Sequence, residues 1–336
     1  GQGRVTFGIT ASDGTRPDSR DVLEYGVAPG SQVFDHVSVV NQSDQPLTLR
    51  LYGSDGVNAS NGGLDVRSRA ERNRDLGAWI HLGSEDDPPA VGPSARSSLD
   101  VEVPPQSSER GVGNVVVPVR IAVPSDATPG DHVGGIVAAL IARGENAQSQ
   151  NIEFEQRVVL RVYVRVAGAL QPRLDLDVLD VAFTGGGGLG FDGAVTVTYR
   201  LTNAGNTRIG AASTVGTAGP LGVLERSVDG TDVDELVPGD SVVLTATVPD
   251  VPATIRTDVK VSATAVRVAG GRDPGLEPQE ARAGIWSVTW QQCAAVLLLA
   301  LLVAGFRWSR RRARTAPVAR HGRSPSGRRA LADAST

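Results

Sequence analysis

Cysteine, methionine and lysine are almost missing from this sequence of 336 residues. The one cysteine, Cys293, excludes an intrachain disulfide and a zinc site built from cysteines. Methionine is absent and no apolar stretch follows Gly1, so no signal peptide is visible. Because export requires a signal peptide, we expect the numbering to begin at or near a processed N-terminus. Of the 33 lysine and arginine residues only Lys260 is lysine, a bias that indicates a high-GC Gram-positive bacterium.

Aromatic residues are also scarce, at 4% of the chain, which leaves little support for carbohydrate binding by ring stacking. Trp79 stands far from the other tryptophans, and we expect it to fill a core. The histidines His36, His81 and His132 are isolated from one another, and no Gly-x-Ser-x-Gly nucleophile elbow occurs. The sequence therefore predicts a protein that is not an enzyme and has neither a metal site nor a cofactor.

One acidic segment, residues 229–235, comes closest to a calcium loop. Its oxygen-bearing side chains do not fall at alternate positions followed by the required glycine. We therefore interpret the segment as an acidic hairpin.

The strongest single feature is an uncharged segment, residues 283–306. About 20 apolar residues suffice for an α-helix to cross a bilayer, so the segment is predicted to be a transmembrane helix. Trp286 and Trp290, one helical turn apart, stand near one end, and Trp308 stands at the other. This distribution is typical of aromatic anchors at the two membrane interfaces.

Charge predicts the orientation of that helix. Residues 307–336 carry nine arginines and one acid, a net charge of +8, which leaves −12 for the rest of a chain whose total is −4. The positive-inside rule places the basic tail in the cytoplasm and the acidic part, which argues against nucleic-acid binding, outside the cell membrane. The tail is rich in Ser, Pro and Gly and is predicted to be disordered. The predicted stop-transfer residues are Arg307, Arg310, Arg311, Arg312 and Arg314.

The remaining chain predicts an all-β fold of two tandem immunoglobulin-like sandwiches, 1–170 and 171–282. Apolar and polar residues alternate with period 2 through many short segments bounded by turn residues. Asn41 and Asn203 each end an alternating strand before a polar turn, so we interpret these positions as corresponding hairpins. The excess length of the first domain is assigned to a loop-rich segment, 53–97, and the four glycines at 185–188 to a hairpin tip.

Residues 5–167 also resemble a known family. The matching pieces, in order, include Pro29-Gly30 before a strand, the turn at Asn41, the run Asp55-Gly-Val-Asn58, and Pro129-Gly130-Asp-His-Val-Gly134-Gly135. Together with the closing strand 157–166, they resemble the first domain of the WxL-interacting proteins of Gram-positive cell surfaces. The layout of two β domains, one C-terminal helix and a basic tail is also similar to that family.

The resemblance implies a first domain that binds peptidoglycan and a second that binds surface proteins or host ligands. It provides no catalytic residues, and the ligand-binding residues stay unknown. We thus expect a single-pass, membrane-anchored binding or scaffold protein. The alternative is an accessory subunit that docks onto a membrane enzyme or transporter of the cell envelope. Retention by insoluble peptidoglycan separates the first reading from the second, which predicts co-purification with a polytopic membrane protein.

Overall fold

The computed structural model describes residues 5–83, 98–108, 111–145, 151–185, 192–288 and 290–314. It contains two β-sandwiches in tandem and one long C-terminal helix, which confirms the predicted all-β class. The elements of the first sandwich are β1 (Phe7–Ser12), β2 (Leu23–Val27), β3 (Gln32–Asn41), β4 (Leu47–Asn58), β5 (Leu64–Val66), the one-turn helix α1 (Leu76–Trp79), β6 (Ile80–Leu82), β7 (Ser98–Val103), β8 (Gly113–Ala122), β9 (Gly130–Glu145) and β10 (Asn151–Val166).

The second sandwich follows after a short connection. Its strands, and the helix α2 behind them, are β11 (Leu174–Thr184), β12 (Gly193–Asn203), β13 (Ile209–Ala218), β14 (Arg226–Asp229), β15 (Val233–Leu236), β16 (Ser241–Val251), β17 (Thr257–Val266), β18 (Gln279–Ile285) and α2 (Trp290–Arg314).

The first sandwich packs two sheets face to face. Among the described residues, one sheet has the order β1-β3-β8-β6 and the other β2-β10-β9-β4-β5, with β7 also paired to β4. The period-2 pattern explains the core, since Val117, Val119 and Ile121 of β8 are buried while their neighbours are partly exposed. Trp79 lies in this core, as expected.

The second sandwich packs the sheet β11-β12-β16 against the sheet β14-β13-β17-β18, with β15 also paired to β13. β12 alternates between buried and half-buried residues along its whole length, and Tyr199 is its largest buried side chain. β11 and β12 pair as far as Thr184 and Ala194, so the hairpin predicted at 185–188 is present. Residues 186–191 of its tip lie outside the described part of the chain.

Asn41 and Asn203 end β3 and β12 in equivalent ways. The predicted hairpins are wrong here, because β3 and β4 belong to opposite sheets, as do β12 and β13, so each turn is a corner between sheets. Each asparagine is fully buried, and its Nδ2 donates to the carbonyl four residues on, at Gln45 (2.8 Å) and Thr207 (2.7 Å). The predicted correspondence of the two positions is confirmed, since one side chain satisfies the backbone at each corner.

Two further predictions about loops need correction. β14 and β15 pair with successive stretches of β13 and not with each other, so the acidic segment 229–235 is not a hairpin. The segment 53–97 is partly regular, since β4 continues to Asn58 and is followed by β5, α1 and β6, while 84–97 lie outside the described residues. The buried Asp55 stabilises α1 by accepting a hydrogen bond from the backbone N–H of Gly77 at 2.8 Å.

The apolar helix begins later than the predicted residue 283. Residues up to Ile285 belong to β18, because their backbone completes the sheet beside β17. α2 begins at Trp290, so Trp286 lies in the connection before the helix and not one helical turn from Trp290.

Helix α2 is long and apolar enough to cross a membrane. This holds for its 21 residues Trp290–Arg310, which span roughly 31 Å. None of that stretch is buried against the sandwiches. The helix continues to Arg314, so the first part of the tail predicted to be disordered is helical, and residues 315–336 lie outside the described part.

Candidate binding site at the joint between the sandwiches

The two ends of the second sandwich have different neighbours. At one end, the corner between β12 and β13 faces the first sandwich, where the carbonyl of Asn206 accepts a hydrogen bond from the backbone N–H of Asp131 at 2.8 Å. At the opposite end, Thr257 at the start of β17 pairs with Ile285 at the end of β18, directly before α2. The second sandwich therefore separates the first sandwich from the helix.

Asn58, the last residue of β4, connects the sandwiches by three hydrogen bonds. Its Oδ1 accepts from the backbone N–H of Val237 at 2.8 Å, and its Nδ2 donates to the carbonyl of Glu235 at 2.6 Å. Its own backbone N–H donates to Oδ2 of Asp240 at 2.7 Å. The amide side chain pairs with the second sandwich as a strand backbone would, and it satisfies a donor and an acceptor together.

A charged cluster surrounds Arg208 of the second sandwich, whose side chain is almost fully buried. The guanidinium donates to Glu24 of β2 at 3.0 Å and to Glu235 at 3.4 Å. It also lies over the ring of Tyr163 of β10, with 3.7 Å between Cζ and the ring centroid. Burial, and then the charge of Glu235, raise the pKa of Tyr163, so this phenol stays protonated and donates to Glu235 at 2.9 Å.

Asp131 joins this cluster from the first sandwich. It accepts a bidentate pair from Arg165 at 2.6 and 2.9 Å, and it accepts the backbone N–H of Arg208 at 2.8 Å. The hydrogen bond to Asp131 raises the pKa of Arg165. Buried charges are stable only where each has a partner, so the cluster requires both sandwiches in one relative position.

Asn206 and Gly130 form the third part of the joint. Nδ2 of Asn206 donates to the carbonyls of Pro129 and Ala169, both at 2.9 Å. Gly130 has a φ of +127°, and a Cβ there would lie 2.2 Å from the carbonyl oxygen of Asn206. Only glycine permits this approach. We call Asn58, Asp131, Asn206, Arg208 and Glu235, with their partners, the joint.

A small apolar cluster covers the polar part of the joint. Val133 and Tyr163 of the first sandwich pack with Val237 of the second, and Val22 and Leu64 lie against them. Apolar cover lowers the local dielectric and strengthens the neighbouring hydrogen bonds. The joint is therefore a packed contact between the sandwiches.

An open cleft of about 350 Å³ lies beside the joint. Its lining includes Gly62, Gly63 and Gly134 together with the apolar side chains of Leu64, Val66 and Val159. One cation and three acids complete the lining: Arg161, Asp65, Asp234 and Glu235.

A concave surface lined by charged side chains of both signs suits polar ligands such as sugars or peptides. The cleft is our candidate binding site. Among the described residues no group of three or more His, Cys, Asp and Glu side chains is arranged to hold a metal ion.

His132, next to the joint, has a hydrogen-bond acceptor at each of its two ring nitrogens. Nδ1 lies 2.6 Å from Oδ1 of Asp75, and Nε2 lies 2.8 Å from the carbonyl oxygen of Thr128. Both partners accept, so the imidazolium, which donates from both nitrogens, satisfies them. Burial opposes this charge, but the hydrogen bonds and the charge of Asp75 outweigh burial and raise the pKa of His132. The ring lies against Trp79, with 4.5 Å between ring centroids.

The residues predicted to meet the membrane lie along and beside α2. Trp286, Trp290 and Trp308 are all exposed. The described side chains Arg307 and Arg310 are exposed near the C-terminal end of the helix, with Arg310 over the ring of Phe306. Arg311, Arg312 and Arg314 fall in its last turns. Their roles at a membrane remain predictions.

The joint itself was missed by reasoning from sequence. Asn58, Gly130 and Asp131 lie in the motifs that carry the family resemblance, yet in the structure they contact the second sandwich. The dipeptide Pro129-Gly130 was a visible signal for a turn with unusual backbone at this position, but not for the partner that it contacts. Arg208, which follows a turn in an exposed-looking polar segment, had no such signal.

The fold and the joint define a class of protein: two immunoglobulin-like sandwiches in fixed contact, followed by one apolar helix. No protein-family model matches the chain, and no curated protein matches its sequence. Among solved structures, a family 123 glycoside hydrolase from Clostridium perfringens is similar at 13% identity, with a TM-score of 0.28, over 50% of this chain and 28% of that one. The chain therefore spans little more than a quarter of the hydrolase.

Two bacterial chaperones also match in structure. The CupB2 chaperone of Pseudomonas aeruginosa matches at 12% identity, with a TM-score of 0.30, over 79% of this chain and 97% of that one. The E. coli chaperone DraB matches at 12% identity, with a TM-score of 0.30, over 82% of this chain and 98% of that one. Because these similarities are so low, function has to be inferred from the joint, the cleft and the helix.

Proposed function

We propose that this protein is a non-enzymatic, single-pass scaffold on the extracytoplasmic face of a Gram-positive cell, related to the WxL-interacting proteins. Its first sandwich attaches to peptidoglycan, to surface proteins, or to both. The observation that supports this proposal is the position of the joint and of α2 at opposite ends of the second sandwich.

This arrangement makes the second sandwich a spacer. β12 runs its length in 11 residues, which span roughly 36 Å. The joint then holds the first sandwich at the far end of that spacer in one orientation. A fixed distance from the bilayer suits attachment to a wall or to a partner that stands above the membrane surface.

The basic end of the chain supports the proposed orientation. The arginines from Arg307 onward follow the apolar stretch, and the acidic sandwiches precede it. A cytoplasmic basic tail and an extracytoplasmic N-terminal part follow from the positive-inside rule.

The cleft supports a polar ligand. Peptidoglycan offers sugar hydroxyls, amides, carboxylates and amines, and the cleft offers the cation Arg161 and the acids Asp65 and Asp234. The described lining of the cleft contains no aromatic residue, and Trp79, the one tryptophan of the first sandwich, is buried, so contact in the cleft is polar.

Binding of the full chain to insoluble peptidoglycan tests the proposal. The protein is solubilised in mild detergent and sedimented with purified cell walls at low and moderate salt. We expect retention, and Arg161→Ala should weaken it, while Arg16→Ala, which removes an exposed arginine of the same sandwich, should not. No retention of the wild-type chain at either salt concentration would contradict attachment to peptidoglycan.

One observation favours a second candidate, an accessory subunit of a membrane complex. Among the described residues β18 hydrogen-bonds to β17 alone, although β11 of the opposite sheet lies close to it, and β18 ends at Ile285, directly before α2. A strand edge without a hydrogen-bonded neighbour can receive a strand from a partner. Crosslinking in cells from Glu280 of β18, followed by identification of the captured protein, tests this; capture of a polytopic membrane protein supports it, and capture of wall components alone contradicts it.

A further inference from the structure

An apolar patch lies on the second sandwich outside both cores. Leu221 is completely exposed, at 101%, and Trp286 and Ile255 are exposed at 73% and 68%. Single exposed apolar residues are ordinary, but a contiguous group marks a contact surface. We call the following residues the basal patch: Leu221, Val223, Leu224, Ile255, Trp286 and Val288.

Strand register places the whole basal patch at one end of the sandwich. Ala218, the last residue of β13, pairs with Asp258 near the start of β17, so the loop 219–225 leaves the sheet at that end. Thr257 pairs with Ile285, so the connections 252–256 and 286–288 lie at the same end.

Hydrogen bonds fasten these connections to one another. Ser287 Oγ accepts the backbone N–H of Thr254 at 3.1 Å and lies 2.7 Å from the hydroxyl of Thr257. The loop 219–225 is closed by a bond from the N–H of Gly219 to the carbonyl of Val223 at 2.7 Å. The exposed apolar side chains are thus presented by ordered backbone.

Backbone strain is concentrated in the same loop. Leu221 and Leu224 have φ values of +63° and +61°, in the left-handed region that leucine rarely adopts. Leu221 gains no packing inside the protein in return, because its side chain is fully exposed. Strain of this kind is typical of segments built for contact with something else.

The basal patch is continuous with the membrane helix. Nε2 of Gln292, in the first turn of α2, donates to the carbonyl of Ala253 at 2.8 Å. The apolar stretch begins at Trp290. A bilayer that contains this stretch has its surface at the level of residues 286–290, which is also the level of the patch.

We propose that the basal patch inserts into the interface of the bilayer that α2 spans. Leu221, Leu224, Ile255 and Trp286 enter the headgroup region around the start of α2. The second sandwich then rests on the membrane at several points and does not swing on a flexible connection. This inference rests on the proposed membrane anchoring.

Depth-dependent quenching in vesicles tests the inference with the full chain. The native Cys293, inside α2, is labelled with an environment-sensitive fluorophore in one sample. In the other samples Cys293→Ala is combined with Leu221→Cys, Ile255→Cys or Val243→Cys, and the new thiol is labelled. The vesicles contain phospholipids with a nitroxide near the headgroup and no other protein, so quenching identifies lipid as the contact.

Val243 is the matched control, because it is an exposed apolar residue of the same sandwich. It lies eight residues before Val251 on β16, roughly 26 Å away from the basal end. We expect labels at 221 and 255 to be quenched several-fold more strongly than the label at 243. Quenching of Cys293 without quenching at 221 or 255 would overturn the membrane contact and leave the anchoring intact. If the label at Cys293 is not quenched, the proposed membrane anchoring is wrong, and the inference about the basal patch fails with it.

Discussion

The guanidinium of Arg208 lies 3.7 Å above the ring centroid of Tyr163, so a cation of the second sandwich rests on an aromatic ring of the first. The same guanidinium reaches Glu24 in the first sandwich and Glu235 in its own. Both domains therefore supply partners to a single buried charge.

Arg208→Ala should loosen the joint. The substitution leaves Glu24 and Glu235 without their cation, and loss of one member of a buried charged cluster costs about 3 kcal/mol. We expect the free energy of unfolding to fall by that amount. Small-angle scattering of the detergent-solubilised protein should also give a broader distribution of interatomic distances. The control is Arg173→Ala, because the side chain of Arg173 is 67% exposed, and this substitution should change neither quantity. Equal effects of the two variants would contradict a special role for Arg208.

Asn58→Asp tests the amide bridge with almost no change in shape. The new carboxylate cannot donate to the carbonyl of Glu235, now 2.6 Å from Nδ2 of Asn58, and it brings negative charge toward Asp240. An unsatisfied buried group costs about 1–3 kcal/mol, and denaturant titration should show a loss in that range. The control is Asn61→Asp, because among the described residues Asn61 uses its Oδ1 to accept from the N–H of Gly63 at 3.0 Å, and aspartate accepts equally well.

Gly130→Ala should destabilise the protein by at least about 2 kcal/mol, since it combines an unfavourable φ with a clash. The added Cβ would meet the carbonyl oxygen of Asn206 at 2.2 Å, and that backbone cannot retreat without breaking the corner between β12 and β13. Thermal unfolding measures the loss. Gly26→Ala on β2 is the comparison, because a Cβ there meets nothing within 4 Å; a similar loss in both would show that the joint tolerates the clash.

His132 should make stability depend on pH near neutrality. Its pKa is raised in the folded protein, so its contribution is fully present below the unfolded value of about 6.5 and is lost as pH rises through the folded value. Burial, and then the charge of Arg120, lower the pKa of His81, so the titration of His81 changes stability with pH in the opposite direction. The measurement is therefore the difference in melting temperature between wild type and His132→Gln, which should shrink from pH 5.5 to 8.5. A difference that stays constant across this range would contradict the charged state of His132.

The basic residues after the apolar stretch should determine orientation. In the proposed orientation their positive charge is retained in the cytoplasm, so replacing them by glutamine should cause part of the protein to insert with the opposite topology or to be fully exported. Protease protection of the sandwiches in intact cells measures the fraction. The replaced residues are Arg307, Arg310, Arg311, Arg312 and Arg314. Unchanged protection would show that other features set the topology.

The presence of the strands and of the apolar helix could be predicted from sequence, because the patterns that indicate them are local. Alternation with period 2 reports that one face of a segment is buried, as on β12, without reference to the partner of that face. A run of uncharged residues likewise predicts a helix able to cross a membrane. Its start was misplaced, because residues 283–285 are uncharged yet complete a sheet beside β17.

Which strands pair with one another was decided only by the tertiary structure. The polar turns after Asn41 and Asn203 read as hairpins, but their strands join opposite sheets, because burial of both sheet faces outweighs pairing with the next strand. The sequence alone determined that the chain is β-rich and contains one apolar helix long enough to cross a membrane. The tertiary structure decided that Asn58, Asp131 and Arg208 meet in one joint. Hydrogen bonds and ion pairs between residues far apart in the chain depend on distances that no local pattern encodes.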